Sequence, residues 1–274
     1  MLPDYIENAE VFMTIKTYPN LSKKHGELVC TAGICQGHFV RIYPIKFRNL
    51  EYFKQFKKFQ WIRVNLRKRP ANKDFRMESY SPEGDIKLLD HISSSEKNFW
   101  HKRLDIINTL PVYNNMQDLI NMSKEPPFPS LAIVKPTKIL DFVIEKTTRD
   151  WSEEQKAYFN QLDLFQEIES LTLQKLPYKY SYRFLTEDGK ERTLMIEDWE
   201  IGALYWKCFE NTDGNEMLAN AKVKEKYLKI ARNSNVFFFM GTSLKNHMRS
   251  PNPFIIIGVA APDTDISMQQ MELF

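Results

Sequence analysis

The chain has 274 residues, of which 43% are hydrophobic, and its formal net charge is only +3, so it can bury a sizeable core in one large domain or two modest ones. No apolar run is long enough to cross a bilayer, and acidic Asp4 stands where a signal peptide would be basic, so we expect a cytoplasmic protein without a membrane partner. The three cysteines have the spacing neither of a disulfide framework nor of a zinc site, and we expect no cofactor and no metal.

The N-terminal third has the alternating pattern of β-strands. Apolar and polar residues alternate over 11–18 and 59–66, and strands predicted over 27–32 and 39–45 flank the turn-like segment 35–38. Short strands joined by tight turns favour a small twisted barrel or half-barrel.

Cations and aromatic rings crowd together between positions 41 and 76. Twelve Lys or Arg stand there against two acids, with aromatic residues interleaved. Cations that neutralise phosphates and rings that stack on bases are typical of a nucleic-acid surface, although a solvated basic face over an aromatic core gives the same pattern. We predict DNA binding through Arg41, Tyr43, Arg48, Lys57, Lys58, Arg63 and Arg67.

On the predicted strands, Glu27 falls near Arg41, Tyr43 and Arg48. A carboxylate beside an aromatic ring and two guanidiniums would suit recognition of an extruded base and its phosphates. A cross-strand ion pair beside a packed tyrosine explains the same residues.

Two helices precede the clearest break in the chain. Ser93 with Glu96 forms a capping box that opens one, residues 114–122 form the other, and the proline-rich segment 124–129 marks the boundary. We predict an α+β fold in which a small N-terminal β-barrel-like region packs with a C-terminal mixed α/β region. We predict a β-rich basic nucleic-acid-binding region with a helical extension over residues 1–125. An α+β domain should follow over residues 126–262, and a flexible clamp-binding tail over residues 263–274.

The second region alternates strands and helices. Its clearest signals are a hairpin that turns at Asp188-Gly189 and a helix over 197–206, in which small Gly202 and Ala203 permit close approach of another element. One face of the first hairpin strand is aromatic, and we expect it in the core rather than as a stacking platform. That face consists of Tyr178, Tyr180, Tyr182 and Phe184.

No known catalytic signature occurs in the chain, so candidate active-site residues come from weaker groupings. Glu197, Asp198 and Glu200 lie where a strand passes into a helix. Carboxylates there could activate water or bind a metal, and we assign catalysis to Glu197 and Asp198. Capping of the helix explains these acids as well.

The loop 241–252 is polar and basic, and it joins two apolar strands. It could bind an anion through Thr242, Lys245, His247 and Arg249, and His247 could also act as a proton shuttle. We therefore add Lys245, His247 and Arg249 to the predicted nucleic-acid contacts. An ordinary hairpin connection is the alternative.

One pentapeptide pattern occurs twice, as Gln161-Leu162-Asp163-Leu164-Phe165 and as Gln270-Met271-Glu272-Leu273-Phe274. From average residue usage, the expected number of such matches in a chain this long is on the order of 0.001. Both copies resemble the short peptide by which bacterial DNA polymerases and repair proteins dock on the replication sliding clamp. The resemblance implies a glutamine at the pocket rim and apolar side chains in a groove, here Gln161, Leu162, Leu164, Phe165, Gln270, Met271, Leu273 and Phe274.

Each copy also has a purely structural explanation. The C-terminal copy follows a polar spacer, and a free terminus can reach a partner's pocket, but its Leu and Phe could pack on their own domain. The internal copy follows a capping box at Ser152, and Leu162, Phe165 and Ile168 have the spacing of a core stripe.

Six segments spread over nearly the whole chain resemble a family of uncharacterised bacterial proteins of similar length. They are Lys16-Thr17-Tyr18-Pro19, Cys30-Thr31-Ala32-Gly33, Val40-Arg41-Ile42-Tyr43-Pro44, Leu176-Pro177-Tyr178, Met195-Ile196-Glu197-Asp198-Trp199-Glu200 and Phe238-Phe239-Met240-Gly241-Thr242. The resemblance implies bacterial origin and one integrated fold, and it suggests a protein of phage-defence loci.

Together these features predict a bacterial DNA-processing protein recruited by the sliding clamp. Base excision of the DNA glycosylase type, on modified or phage DNA in repair or antiviral defence, needs only carboxylates, aromatics and cations. The alternatives are a metal-dependent nuclease, a non-enzymatic reader of modified nucleic acid and an inhibitor that competes for the clamp.

Overall fold

The computed structural model describes residues 2–18, 20–22, 26–45, 55–153 and 174–263. Within them the chain forms thirteen strands and four helices. The helices are α1 (Phe99–Ile107), α2 (Met116–Met122), α3 (Trp199–Glu210) and α4 (Glu216–Asn233). No helix in these ranges is long and apolar enough to span a membrane.

Five N-terminal strands close into a barrel, as the alternating pattern predicts. In barrel order they are β1 (Tyr5–Lys16), β5 (Gln60–Lys68), β6 (Ser79–His91), β4 (His38–Ile45) and β3 (Gly26–Cys35). The barrel closes because β1 pairs with β5 on one side and with β3 on the other. The short strand β2 (Asn20–Ser22) pairs antiparallel with the first part of β3.

Strand β1 contributes to two cores. The pairing of β1 with β3 shifts register between Met13 and Ile15, and a shift of one residue reverses the face that follows. Met13 is therefore buried inside the barrel, whereas Ile15 is buried on its outer face with Phe12 and Ala32.

The second region contains two sheets. The central sheet has the strand order β13 (Phe254–Ala260), β12 (Phe237–Thr242), β8 (Leu131–Val134) and β7 (Val112–Tyr113). The other sheet has the order β11 (Glu191–Met195), β10 (Tyr178–Leu185) and β9 (Lys138–Lys146). Because β7 pairs with β8, the residues just after α1 join the second region in space.

The central sheet is buried on both faces. Phe237 and Phe239 pack with the outer face of the barrel and α1, while Phe238 and Met240 pack with α2, α3, α4 and the three-stranded sheet. Successive side chains of a strand point to opposite faces, so a strand with two buried faces is apolar throughout. The barrel and the second region thus share one core, and the protein is strand-rich, with α1 on the barrel side of the central sheet and α2, α3 and α4 on the other side.

Several local predictions are confirmed. The hairpin turns at Gly189, whose φ of 68° suits glycine, and Tyr180, Tyr182 and Phe184 are buried. Gly202 does permit close approach, because a Cβ there would lie 2.1 Å from the ring of Tyr18.

The helix predicted to begin at Ser93 begins at Phe99 instead. The Ser93 backbone N–H does donate to the Glu96 carboxylate at 2.7 Å, as a capping box requires. Asn98, however, takes a left-handed φ of 57°, which interrupts the turn, and α1 starts only after it.

Candidate functional site

A cavity of about 50 Å³ lies where the outer face of the barrel meets the central sheet. One wall comes from β1, β3 and β4, and the other from β12, β13 and the residue before the α3 N-cap. The volume exceeds the roughly 10–15 Å³ that one water needs, so several waters or a small planar group fit. Its lining combines isoleucines with convergent polar groups from Thr17, Cys30, Arg41, Glu197, Thr242 and Ser243.

Arg41 brings a buried guanidinium to this cavity. Its side chain comes from β4, only 5% of the residue is exposed, and Nη2 donates to the backbone oxygen and the hydroxyl of Ser130 at 3.2 and 3.1 Å. Nε has no hydrogen-bond acceptor among the residues that the structure describes. Burial, with the positive charge of Arg76 nearby, lowers the Arg41 pKa to about 10. An unmet buried donor is costly, and a ligand could satisfy it.

A buried charge network holds Arg41 from behind. Ser130, which binds Arg41, also donates its backbone N–H and hydroxyl to the Glu78 carboxylate at 2.8 and 2.9 Å. Arg76 pairs with Asp74 at 2.7 Å and donates to the Thr242 backbone oxygen at 2.7 Å. Two cations and two acids therefore tie the barrel to β8 and β12 beside the cavity.

Sequence reasoning missed this network, since it treated Asp74 and Arg76 as surface charges and passed over Glu78. The available signal was the alternation of acid, base and acid at 74, 76 and 78, just before β6. Such a pattern places charges on one side of an extended segment, but burial decides whether that side is solvent or core.

Glu197 is the carboxyl of the cavity. The preceding Ile196 bridges to Ile256 of β13, and the Glu197 backbone N–H donates to the Ile256 oxygen at 2.8 Å, which fixes the chain at this point. No described residue donates a hydrogen bond or pairs its charge with the Glu197 carboxyl. Burial raises the pKa of Glu197, so this group can give or take a proton nearer neutral pH than an exposed glutamate can.

Cys30 lines the same cavity as Arg41 and Glu197. Burial raises the pKa of its thiol, Arg41 lowers it and Glu197 raises it further, which places both charges within electrostatic reach. A thiol with a raised pKa is a poor nucleophile, so Cys30 serves as part of the wall.

Asp198 follows Glu197 in sequence but has a different environment. It is the N-cap of α3, with only 1% of the residue exposed, and it accepts hydrogen bonds from the Glu200 and Val259 backbone N–H groups at 3.3 and 3.2 Å. Lys58 Nζ lies 3.1 Å from the same carboxylate. Capping accounts for the Glu200 contact, and the Val259 and Lys58 contacts are tertiary ones that hold α3 against its surroundings. The catalytic assignment of Asp198 gains no support, because Asp198 does not line the cavity.

Lys58 is also not the surface cation that the sequence suggested. Its side chain is 7% exposed, and besides Asp198 it contacts the Glu200 carboxylate at 2.9 Å and the Val259 backbone oxygen at 3.1 Å. It therefore pairs with the buried Asp198 and the exposed Glu200 instead of offering its charge to phosphate.

The other predicted DNA contacts are spread over the barrel. Lys57 is exposed, and the partly exposed Arg63 and Arg67 pair with the carboxylates of Glu10 and Glu83. The half-buried Tyr43 ring lies 5.2 Å from the Arg69 guanidinium. Exposed ion pairs are weak, so phosphate could displace these acids, and DNA binding by this surface stays a prediction.

His247 is buried instead of exposed. One ring nitrogen lies 2.9 Å from the Ser123 backbone oxygen and the other 2.7 Å from the Thr242 hydroxyl. The network assigns the ring a donor at Nε2 and an acceptor at Nδ1, and burial lowers its pKa. This histidine anchors its loop, whereas Lys245 and Arg249 in the same loop are exposed.

Some predicted site residues lie outside the described ranges. They are Arg48, the internal pentapeptide with Gln161, Leu162, Leu164 and Phe165, and the C-terminal one with Gln270, Met271, Leu273 and Phe274. The Glu27 side chain is outside the description as well. Among the remaining residues, no grouping of three or more His, Cys, Asp or Glu could hold a metal ion.

Two family models match the chain. A domain of unknown function, DUF8758, matches residues 7–109, and another domain of unknown function, DUF8757, matches residues 112–274. The chain belongs to the DUF8757 family. No curated protein matches it.

The cavity of this DUF8757 protein is formed by both matched segments, because Arg41 lies in the first and Glu197 in the second. The two segments adjoin between residues 109 and 112, just before β7. The predicted domain boundary near residue 126 stays a prediction.

Proposed function

We propose that this protein captures a base extruded from DNA in the cavity and excises it, with Glu197 as general acid and base and Arg41 as the hydrogen-bond donor to the base. One observation carries the proposal: an unpaired carboxyl and an unpaired guanidinium N–H meet in one cavity with apolar walls. Perturbed, partner-free groups that converge in a cleft are typical of functional sites.

The chemistry of the lining suits the edge and the faces of a nucleobase. Isoleucine side chains such as Ile15 and Ile257 can contact the flat faces of a ring. Donors from Arg41 and an acceptor, or a donor when protonated, from Glu197 match the carbonyl, amino and ring nitrogen groups on a base edge.

Base excision is a hydrolysis that these two groups can support. Water adds through its oxygen to C1′ of the deoxyribose, and the bond from C1′ to the base nitrogen breaks with its electron pair leaving on the base. The Glu197 carboxylate takes the proton that water loses and returns it to the departing base, so the products are the free base and an abasic sugar. The Arg41 N–H groups stabilise the negative charge that develops on the base.

The test is an abasic-site assay on phage DNA that carries modified bases. We expect the native chain to form abasic sites and Glu197→Gln to lose about a hundredfold or more in rate, the range of general acid–base catalysis. Glu187→Gln, a change of the same type at an exposed glutamate of the hairpin turn, is the matched control and should retain the native rate. A folded Glu197→Gln variant with native activity would refute the role of Glu197.

A non-enzymatic reader of modified bases is the second candidate. The observation that favours it is that Asp198 is committed to the α3 cap, which leaves Glu197 as the cavity's carboxyl, and recognition alone needs no activated water. If the protein is a reader, the native chain should bind the modified DNA tightly and form no abasic sites. Arg41→Met should then weaken binding, whereas an enzyme would show abasic product.

Recruitment by the bacterial sliding clamp is a separate part of the proposal, and the two pentapeptides in the sequence support it. Clamp binding should fall with Leu273→Ala/Phe274→Ala, with Leu164→Ala/Phe165→Ala as the test of the inner copy. If both copies engage one ring, the variant that combines all four substitutions should bind the clamp more weakly than either two-residue variant, because linked sites gain avidity. Undiminished clamp binding by the combined variant would contradict docking through these peptides.

A further inference from the structure

A turn at the rim of the cavity exposes two large apolar side chains. Ser243 lines the cavity, and residues 243–250, which we name the rim turn, continue from it. Leu244 and Met248 are 40% and 49% exposed, and both belong to the rim turn. Exposed apolar pairs beside a cavity often contact a ligand or partner.

The rim turn is firmly attached to the body of the protein. The His247 backbone N–H donates to the Ser243 oxygen at 3.0 Å, and its buried ring contacts Ser123 and Thr242. Lys124 Nζ donates to the backbone oxygens of His247 and Ser250, at 2.7 Å in each case. The two apolar side chains therefore project from a rigid base.

The charges of the rim turn indicate the kind of partner that it binds. Lys245 and Arg249 are exposed, and in the described ranges neither side chain has an acid or a hydrogen-bond acceptor as partner. The loop 241–252 has no acidic residue. Two apolar side chains flanked by two unpaired cations are complementary to stacked bases flanked by phosphates.

We infer that the rim turn is a wedge that opens the DNA base stack next to the cavity. Leu244 and Met248 enter between neighbouring bases and fill the space that the extruded base leaves. Lys245 and Arg249 bind the phosphates on either side. This inference rests on the proposed base capture and adds the step that delivers the base from a duplex.

The experiment uses a synthetic duplex with one 2-aminopurine opposite a mismatched cytosine, whose fluorescence rises when the base leaves the stack. At saturating protein, the native chain should raise the fluorescence. Leu244→Ser/Met248→Ser should lower the apparent equilibrium constant of unstacking about tenfold, since loss of a stacking contact costs on the order of one factor of ten. Met217→Ser/Leu218→Ser removes two similar exposed side chains from α4, on the other side of the central sheet, and should behave as native.

The cations have their own measurement. Lys245→Gln/Arg249→Gln should weaken duplex binding and reduce the slope of log affinity against log salt by about two, the value for two lost phosphate contacts. An unchanged slope would overturn the phosphate assignment.

Unstacking and excision fail independently, which keeps the two proposals apart. A native chain that raises the fluorescence but forms no abasic site contradicts excision and supports the wedge. A native chain that forms abasic sites in single strands and duplex alike, while Leu244→Ser/Met248→Ser keeps the native rate on duplex, overturns the wedge. Absence of any fluorescence rise with the native chain overturns it too.

Discussion

Glu197 and Asp198 are neighbours in sequence, yet one faces a cavity and the other is sealed in the structure. Consecutive residues of an extended segment point to opposite sides, so a single step along the chain changes the environment completely. Asp198 accepts from two backbone N–H groups and Lys58, whereas the Glu197 carboxyl has no partner in the described part of the chain. Burial of an acid therefore does not by itself indicate a functional site, because the fully buried Asp198 is satisfied by structural partners.

The two buried cations show the same contrast. Lys58 has three N–H donors and three acceptors, from Asp198, Glu200 and the Val259 backbone oxygen. Arg41 is buried as deeply but leaves its Nε without an acceptor. The Lys58 cluster satisfies all three of its donors and joins α3 to β13, whereas the Arg41 guanidinium keeps one donor without an acceptor in the described part of the chain.

Removal of Lys58 should destabilise the protein more than any other change considered. Lys58→Ala leaves Asp198 buried without its counterion, so we expect the free energy of unfolding to fall by about 3–5 kcal/mol, as for other broken buried pairs. Urea denaturation measures it. Lys57→Ala, at the exposed neighbouring position, should stay within about 0.5 kcal/mol of native, and an equal loss in both variants would refute the contrast.

The two adjacent acids give the second test, with one change of the same type at each. Asp198→Asn keeps a good N-cap residue but removes the charge that Lys58 needs, so a loss of about 2 kcal/mol in unfolding free energy is expected. Glu197→Gln should leave stability unchanged or slightly higher, because it removes a carboxyl that burial disfavours in its ionised form. Thermal or urea unfolding of both variants decides the comparison, and a larger loss from Glu197→Gln would reverse it.

The sequence predicted the local elements of the fold better than it predicted the cavity. The barrel strands, the β10–β11 hairpin and the close approach at Gly202 follow from local patterns, since alternation, Asp188-Gly189 and a glycine between two tryptophans each act over a few residues. The partner at Gly202 was not predictable, because Tyr18 lies far away in sequence and reaches α3 only through the barrel.

The site was predictable only in pieces. Glu197, Arg41 and Thr242 each belonged to a separate candidate grouping, and no local pattern indicates that the three residues meet in space. Their meeting depends on how the barrel packs on the central sheet, which is set by side chains such as Ile15 and Phe239. The sequence patterns also predicted that Lys58 and His247 are exposed. That prediction was wrong because a sequence does not show whether a polar side chain will find a hydrogen-bonding or charged partner inside the fold.

The third prediction is the pH dependence that Glu197 confers, which should be smaller than the loss from Asp198→Asn. Burial raises the Glu197 pKa in the folded state above its ordinary value, so its contribution to stability is fully present below the unfolded pKa and is lost as pH rises through the folded pKa. In urea unfolding from about pH 4 to about pH 8, the free energy of unfolding of the native chain, taken relative to that of Glu197→Gln, should fall as pH rises. A rise of this relative free energy with pH would mean that the ionised Glu197 carboxylate has a stabilising partner.

The smallest effect is expected at Glu200, which shares Lys58 with Asp198. Its carboxylate lies 2.9 Å from Lys58 Nζ, but its side chain is 53% exposed, against 1% for Asp198. Water screens the exposed pair and solvates the carboxylate when the pair opens, so Glu200→Gln should cost about 0.5 kcal/mol in urea unfolding, and less in high salt. The same cation would then contribute strongly through one acid and weakly through the other. A loss as large as that of Asp198→Asn would show that Lys58 holds both acids as one unit, and the contrast would then lie between whole clusters rather than between single side chains.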